Sequence, residues 1–160
     1  MTAGCAHTGA RVEIEVFCVG FASDDGPARY LHRLAPLGLD NPDGPARSLA
    51  EESGAQVVML HSTSWRWEEG GRIVLTYLAW AREGTLPPAA EALPETPARA
   101  STDPLRPRPK EIARLDPLFH GLRHFAFLLR NDESGAVRFA LGERAAAFLA
   151  PFVPEPAGQR

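Results

Sequence analysis

The chain contains 160 residues, of which 44% are hydrophobic and 23% are charged, and its formal net charge is −3. A chain of this length and composition can form one globular domain with its own core. The small negative charge argues against a nucleic acid as the main partner, because phosphate backbones are bound by broad basic surfaces.

Neither the N-terminus nor the cysteines indicate export. Residues 1–10 lack the basic start and apolar stretch of a signal peptide. The longest apolar run, Ile73 to Ala81, is too short to span a bilayer. Cys5 and Cys18 are too few for a disulfide framework, and Cys18 lies in an apolar run that is typical of a core. We therefore expect a cytoplasmic protein that does not cross a membrane.

The first predicted element is a strand over residues 11–22, in which apolar residues recur at every second position. Turn-forming residues at 24–27 end it. Residues 28–34 predict a short helix, because Tyr30 and Leu34 would lie on one side of it.

A box helix and a hairpin follow. The helix is predicted over residues 45–53, because proline is favoured in the first helical turn, here at Pro45, and glycine just beyond the last, here at Gly54. Residues 56–80 predict a hairpin of two apolar strands with a glycine-rich turn at 69–71. The second strand, residues 72–80, is apolar on both faces, which indicates a central position in the sheet.

The remainder divides into two parts of different composition. Residues 84–110 are rich in proline, which fits neither a helix interior nor a central strand, and they predict a long surface loop or linker. Residues 111–153 predict a helical C-terminal part, in which the helix over 117–130 carries an apolar stripe. Residues 1–160 are thus predicted to form a single α/β domain, an α/β/α sandwich around a mixed sheet.

The segment from Arg47 to Ala55 carries the most informative pattern. Five of its residues match the second half of the Nudix signature by type and spacing: Arg47, Leu49, Glu51, Glu52 and Gly54. Here the chain resembles the Nudix hydrolase superfamily. Ser48 stands where the family has a glutamate. The upstream half of the signature is missing, since its glycine and glutamate positions hold Arg33 and Leu39.

The spacing of this box has a chemical meaning. Positions 48, 51 and 52 share one face of a helix. Carboxylates gathered there can hold Mg²⁺, which takes oxygen ligands and can bridge a pyrophosphate. The resemblance implies a Nudix-like fold and a hydrolase of a diphosphate linkage in a nucleotide-type metabolite. Glu51 and Glu52 would then hold Mg²⁺ or Mn²⁺, and Arg47 would orient the glutamates. Ser48 removes one of the three charges that attract the cation.

The polar and aromatic run from His61 to Trp67 is a second candidate site. Trp65 or Trp67 could stack on a base or another planar ligand, Arg66 could pair with a phosphate or carboxylate, and His61 would complete a substrate-binding set. The structural interpretation, weighed equally, is a hairpin end where the tryptophans cover the core.

His120 and His124 are spaced so that both could bind zinc from one side of a helix. No third ligand has a suitable spacing. A pair of partly exposed histidines near Arg123 is therefore the favoured interpretation.

Two functions on the Nudix-like scaffold stay open. One is a divergent hydrolase that depends on Mg²⁺. The other is a non-catalytic module that binds a small ligand or a protein partner, with the apolar helix over 117–130 as a possible homodimer face. Ser48 and the missing upstream half favour the second. A third interpretation is an unrelated α/β domain in which the box is accidental.

Overall fold

The computed structural model of the protein describes residues 11–39, 41–94 and 113–159. Within these ranges the chain forms six strands and four helices. In chain order they are β1 (Arg11–Phe21), β2 (Ala28–Pro36), α1 (Asp43–Glu51), β3 (Val57–Glu68), β4 (Arg72–Ala81), β5 (Glu91–Ala92), α2 (Asp116–Arg130), α3 (Ala136–Leu141), α4 (Glu143–Leu149) and β6 (Gly158–Gln159). The prediction of an α/β fold is confirmed.

The strands form one mixed sheet in the order β5-β2-β1-β4-β3-β6. At its centre β1 and β4 are parallel, whereas β2 pairs with β1 and β3 pairs with β4 in the antiparallel sense. The apolar character of both faces of β4 predicted this central position, and that prediction is confirmed. The turn after β3 is also as expected, with φ of 82° and 77° at Gly70 and Gly71, angles that glycine adopts without strain.

The prediction of a helix over residues 28–34 is wrong. These residues belong to β2, where Tyr30 lies opposite Val19 and His32 lies opposite Phe17 of β1. So short an apolar run fits both the helical and the strand period. Pairing with β1 stabilises the strand, and no local pattern in residues 28–34 reveals that pairing.

Helices cover both faces of the sheet. On one side, named the α1 face, Leu49 of α1 packs with Ile14 and Tyr77 of the strands. On the other, named the α2 face, helices α2 and α4 pack on Phe17 and Leu78. Because side chains alternate along a strand, consecutive residues of β4 contribute to the two cores in turn.

Helix α2 buries the apolar stripe that the sequence predicted. Leu118, Leu122 and Phe125 are fully buried on the α2 face. Gly121 permits a close approach, since a Cβ atom there would lie 3.2 Å from the Cβ of Leu78. The stripe therefore packs within the chain and does not form the exposed homodimer face that the sequence suggested.

The proline-rich segment 84–110 lies only partly within the described residues. Its first part contributes Leu86 and Ala90 to the core of the α1 face, and β5 then pairs with β2. Residues 95–110 of the predicted loop lie outside the described ranges. In the described parts of the chain, no helix is long and apolar enough to cross a membrane.

A β-bulge interrupts β3 at Thr63. Ser62 pairs with Tyr77 and Ser64 pairs with Thr76, so Thr63 is an extra residue relative to β4. Its side chain is fully buried, and its hydroxyl donates to the carbonyl oxygen of Thr76 at 3.3 Å. An extra residue reverses the alternation of all side chains that follow it. The bulge therefore determines on which face of the sheet each side chain of β3 after Thr63 lies.

Candidate functional site

Helix α1 contains the box residues and exposes its acidic end. Ala46 and Leu49 are buried against the sheet, whereas Glu51 and Glu52 are exposed. The chain leaves the helix through Gly54, whose φ is 87° and whose N–H donates to the carbonyl oxygen of Glu51 at 2.9 Å. The helix thus begins at Asp43, two residues before the predicted Pro45, and ends at Glu51, three residues before Gly54.

Arg47 connects α1 with the start of β3. Its Nη1 lies 3.4 Å from Oε1 of Glu51 and donates to the carbonyl oxygen of Val57 at 3.2 Å. The structure thus places Arg47 beside one of the two glutamates of the box. A guanidinium group has five N–H donors, so Arg47 keeps donors for a ligand while these two contacts hold its position.

The box residues fit a magnesium ion poorly. Ser48 supplies a hydroxyl group where a third carboxylate is needed, and Glu51 is already paired with Arg47. Among residues 11–39, 41–94 and 113–159, no group of three or more His, Cys, Asp or Glu side chains could share a metal ion. Mg²⁺ in proteins is usually held by one or two carboxylates together with waters and substrate phosphates, so Glu51 and Glu52 would need a bound phosphate to complete the set of ligands.

An open groove lies between the first turns of α1 and the strands β3 and β4. Its volume is about 530 Å³, inside the range of about 300–1,000 Å³ that is usual for small-molecule sites. The groove is lined by Asp43, Gly44, Arg47, Leu60, His61, Ser62 and Tyr77. Charged, hydroxyl and apolar groups thus meet in one cavity large enough for a metabolite.

Asp43 and Tyr77 form a polar pair in this groove. The Tyr77 hydroxyl donates to Oδ1 of Asp43 at 2.7 Å. Burial, together with the hydrogen bond to the Asp43 carboxylate and its charge, raises the pKa of Tyr77 well above its usual range. The hydroxyl therefore stays protonated at neutral pH, and the bond ties the first turn of α1 to the centre of the sheet.

The two tryptophans of the predicted site lie on the same side of the sheet as the groove. Trp65 pairs with Leu75, which packs against the core of the α1 face, and Trp67 pairs with Ile73. Both indoles are accessible, with 41% of Trp65 and 55% of Trp67 exposed. Trp65 and Trp67 are thus each about half-buried.

Arg66 lies on the opposite side of the sheet from Trp65. There its Nη1 and Nη2 donate to the Glu15 carboxylate at 2.6 and 3.2 Å, and its Nε donates to Glu68 at 2.8 Å. Glu15 also accepts a hydrogen bond from Thr76 at 2.8 Å. The sequence grouped Arg66 with Trp65 and His61 as substrate-binding residues. The structure instead places Arg66 in an ion-pair network on the α2 face.

His61 borders the groove, but its ring lies against α2. Its Nδ1 is 2.8 Å from the carbonyl oxygen of Ser62 and 3.2 Å from Nε2 of His124. Burial, assisted by His61 and His120, lowers the pKa of His124 to about 4, so this ring is neutral at physiological pH. The expectation of a partly exposed pair at positions 120 and 124 is wrong. Both rings are buried, because β3 and the segment around Glu155 enclose them.

Five of the seven groove residues were not assigned from the sequence as site residues: Asp43, Gly44, Leu60, Ser62 and Tyr77. Tyr77 was covered only by the predicted strand over residues 72–80. The contact between Asp43 and Tyr77 joins residues 34 positions apart, and no local pattern encodes it. The one available signal was a tyrosine within a strand apolar on both faces, since a buried tyrosine hydroxyl needs a partner.

The chain has no match among protein-family models, and a search of curated proteins returned none either. Its function is therefore inferred from the geometry of the groove and from the box.

Proposed function

We propose that the protein binds a small anionic metabolite of nucleotide type in the groove beside α1, without hydrolysing it. One observation carries this proposal. Arg47 of the box lines the groove together with the Asp43–Tyr77 pair, whereas Glu51 and Glu52 are not among the lining residues. The side chain suited to binding an anion faces the cavity, and the carboxylates that would serve hydrolysis lie outside it.

The charges of the groove favour a ligand with two kinds of polar group. Arg47 can form charge-assisted hydrogen bonds with a phosphate or carboxylate. Gly44 belongs to the first turn of α1, where the helix dipole favours negative charge. Asp43 keeps acceptor capacity beside its bond from Tyr77. A ligand with an anionic group at Arg47 and an O–H or N–H donor at Asp43 suits this arrangement.

The order of elements supports a Nudix-like scaffold, which we include in the proposal. Strands precede the box helix, α1 docks on a mixed sheet, and the β3–β4 hairpin follows immediately. The resemblance implies this context for a box helix. A cytoplasmic location and a homodimer stay predictions from the sequence.

Calorimetric titration with ADP tests the proposed binding role. We expect ADP to bind the wild type and Arg47→Met to weaken binding at least tenfold, because a hydrogen bond to a charged group contributes about 1.5–3 kcal/mol and about 1.4 kcal/mol corresponds to a factor of ten. Arg138→Met is the matched control, since Arg138 lies on α3 and pairs with Glu143 at the surface. Equal affinity in the wild type and Arg47→Met would contradict the proposal.

Hydrolysis of a diphosphate linkage is the second candidate function. The observation that favours it is the distance of 3.4 Å between Arg47 Nη1 and Glu51 Oε1, because the resemblance implies that Arg47 orients the glutamates of the box. Glu52 follows directly and is exposed, so a cation could reach both carboxylates.

Titration of Mg²⁺ and Mn²⁺ separates the two functions. The binding role predicts no saturable uptake of either ion at millimolar concentration, because two exposed carboxylates attract a hard cation weakly. A hydrolase predicts saturable binding that disappears in Glu52→Gln and persists in Glu133→Gln, an exposed glutamate elsewhere on the surface. If metal binding is saturable, is lost in Glu52→Gln and is kept in Glu133→Gln, and if phosphate is released from ADP, the protein is a hydrolase and the proposed binding role is wrong.

A further inference from the structure

The last described residues, 153–159, are named the C-terminal strap, and they connect helix α2 with the edge of β3. Within 153–158 every residue is exposed or only partly buried, and β6 adds a pairing of two residues with β3. Glu155 fastens the strap to α2. Its N–H donates to the carbonyl oxygen of Arg123 at 3.1 Å, and its Oε2 accepts from Nε of Arg123 at 2.7 Å. The strap buries little apolar surface, so its attachment depends on the contacts of Glu155.

His120, which is only 2% exposed, faces a hydrogen-bond acceptor at each of its two ring nitrogens. Nδ1 lies 3.2 Å from Oε2 of Glu155, and Nε2 lies 3.2 Å from the carbonyl oxygen of Thr63. A carbonyl oxygen only accepts hydrogen bonds, and so does an ionised carboxylate. Arg123 donates to the same Oε2, and its charge favours the ionised form of Glu155. The ring of His120 satisfies both acceptors only when each nitrogen carries a proton, which is the imidazolium form.

His124, one helical turn later, provides an internal comparison because it is neutral. Its Nδ1 lies 3.3 Å from the carbonyl oxygen of Glu155, and its Nε2 lies 3.2 Å from Nδ1 of His61. The carbonyl oxygen accepts from the Nδ1–H, which leaves Nε2 as an acceptor for His61. This assignment agrees with the low pKa of His124, about 4. Two buried histidines of one helix therefore carry different numbers of protons at neutral pH.

The titratable and charged groups around His120 belong to three elements: Asp116, Arg123 and His124 of α2, His61 of β3, and Glu155 of the strap. Burial disfavours the imidazolium, whereas the Glu155 carboxylate favours it. Because this carboxylate leaves with the strap, the attached strap makes His120 hold its second proton more tightly. By linkage, the strap is attached most firmly while His120 keeps both protons, and the attachment weakens as the pH rises.

We propose that His120 is a pH-sensitive latch for the C-terminal strap, and that loss of one ring proton to solvent releases the strap while the rest of the domain stays folded. In the neutral ring a nitrogen lone pair faces either the Glu155 carboxylate or the Thr63 carbonyl oxygen, and neither acceptor can donate to it. The strap is the least buried of the parts in contact, so it opens first. Release uncovers the backbone of β3 at Ser64 and Trp65, where β6 pairs with it. This inference does not depend on the ligand proposed for the groove.

NMR of the full chain follows the ring protons and the strap in one sample. At neutral pH we expect the ring ¹⁵N signals to show two protonated nitrogens for His120 and one for His124. As the pH rises, His120 loses one proton, and the open fraction of the strap increases about tenfold or more. The ¹³Cα signals of residues 155–158 then move towards those of an unfolded segment with the same midpoint as the ring. The ¹³Cα signals of Cys18 and Leu78 in the central strands stay unchanged.

Glu155→Gln separates the latch from a general effect of pH. Because this half-buried side chain lies outside the core, we expect the variant to fold, to leave His120 with one unprotonated nitrogen at neutral pH, and to release the strap there. Glu133→Gln, at an exposed position, is expected to match the wild type. The latch is wrong if His120 of the wild type has an unprotonated nitrogen at neutral pH, or if its titration leaves the strap signals unchanged. It is also wrong if the strap stays attached in Glu155→Gln, or if the strap and the central strands unfold together.

Discussion

Replacement of Arg66 by methionine is expected to lower the free energy of unfolding by about 3–5 kcal/mol, because it leaves a buried carboxylate without its charged partner. Glu15 is only 4% exposed. Its carboxylate accepts hydrogen bonds from both Nη atoms of Arg66 and, at 2.8 Å, from the hydroxyl of Thr76. Nε2 of His32 lies 3.1 Å from the same carboxylate. Urea unfolding at neutral pH measures the loss. Arg138→Met is the control, since an exposed pair contributes about 1 kcal/mol or less.

The same network predicts a defined pH dependence. Burial by itself raises the pKa of Glu15, but hydrogen bonds from His32 and Arg66 and the Arg66 charge outweigh it and hold the pKa at about 2 instead of 4.5. A pKa lowered by folding contributes stability that is complete above the unfolded pKa and is lost as the pH falls through the folded pKa. The difference in the free energy of unfolding between the wild type and Arg66→Met should therefore become smaller as the pH falls from 4.5 to about 2. If Arg66→Met lowers the free energy of unfolding by less than about 1 kcal/mol at neutral pH, or by an amount that does not change with pH, this account of the network is contradicted.

Replacement of Phe125 by alanine is the second change with a large expected effect. Phe125 is fully buried where α2 meets the sheet, and removal of such a ring costs about 3–5 kcal/mol, since apolar burial is lost and a cavity is left behind. Phe139→Ala is the matched control, because Phe139 on α3 is 91% exposed and surface substitutions usually change stability by about 0.5 kcal/mol or less. The comparison requires only denaturant unfolding of both variants. If both variants lose the same free energy of unfolding, α2 does not pack on the sheet through its apolar stripe.

The elements with a strong local signal were predictable from the sequence. The box helix had proline at its start and glycine beyond its end, and the β3–β4 hairpin had apolar strands around a glycine turn. Strand β2 was not predictable, because its short apolar run fits two periods and only its pairing with β1 decides between them.

The candidate site was predictable only in part. Arg47 and Trp65 were identified from the box and from the aromatic run, and both lie on the α1 face. Arg66 was assigned with them because residues adjacent in sequence were assumed to act together. Its position depends on the bulge at Thr63, which has no sequence signature here, and on Glu15, which is 51 positions away.

The central claim is that the groove on the α1 face binds the ligand, and its most direct test is a ¹H–¹⁵N NMR titration of the wild type with ADP. The account predicts saturable shifts of the backbone signals of Gly44, Arg47 and Tyr77. Residues on the α2 face, such as Arg66, should keep their signals. Shifts confined to the α2 face, or none at millimolar ADP, would contradict it.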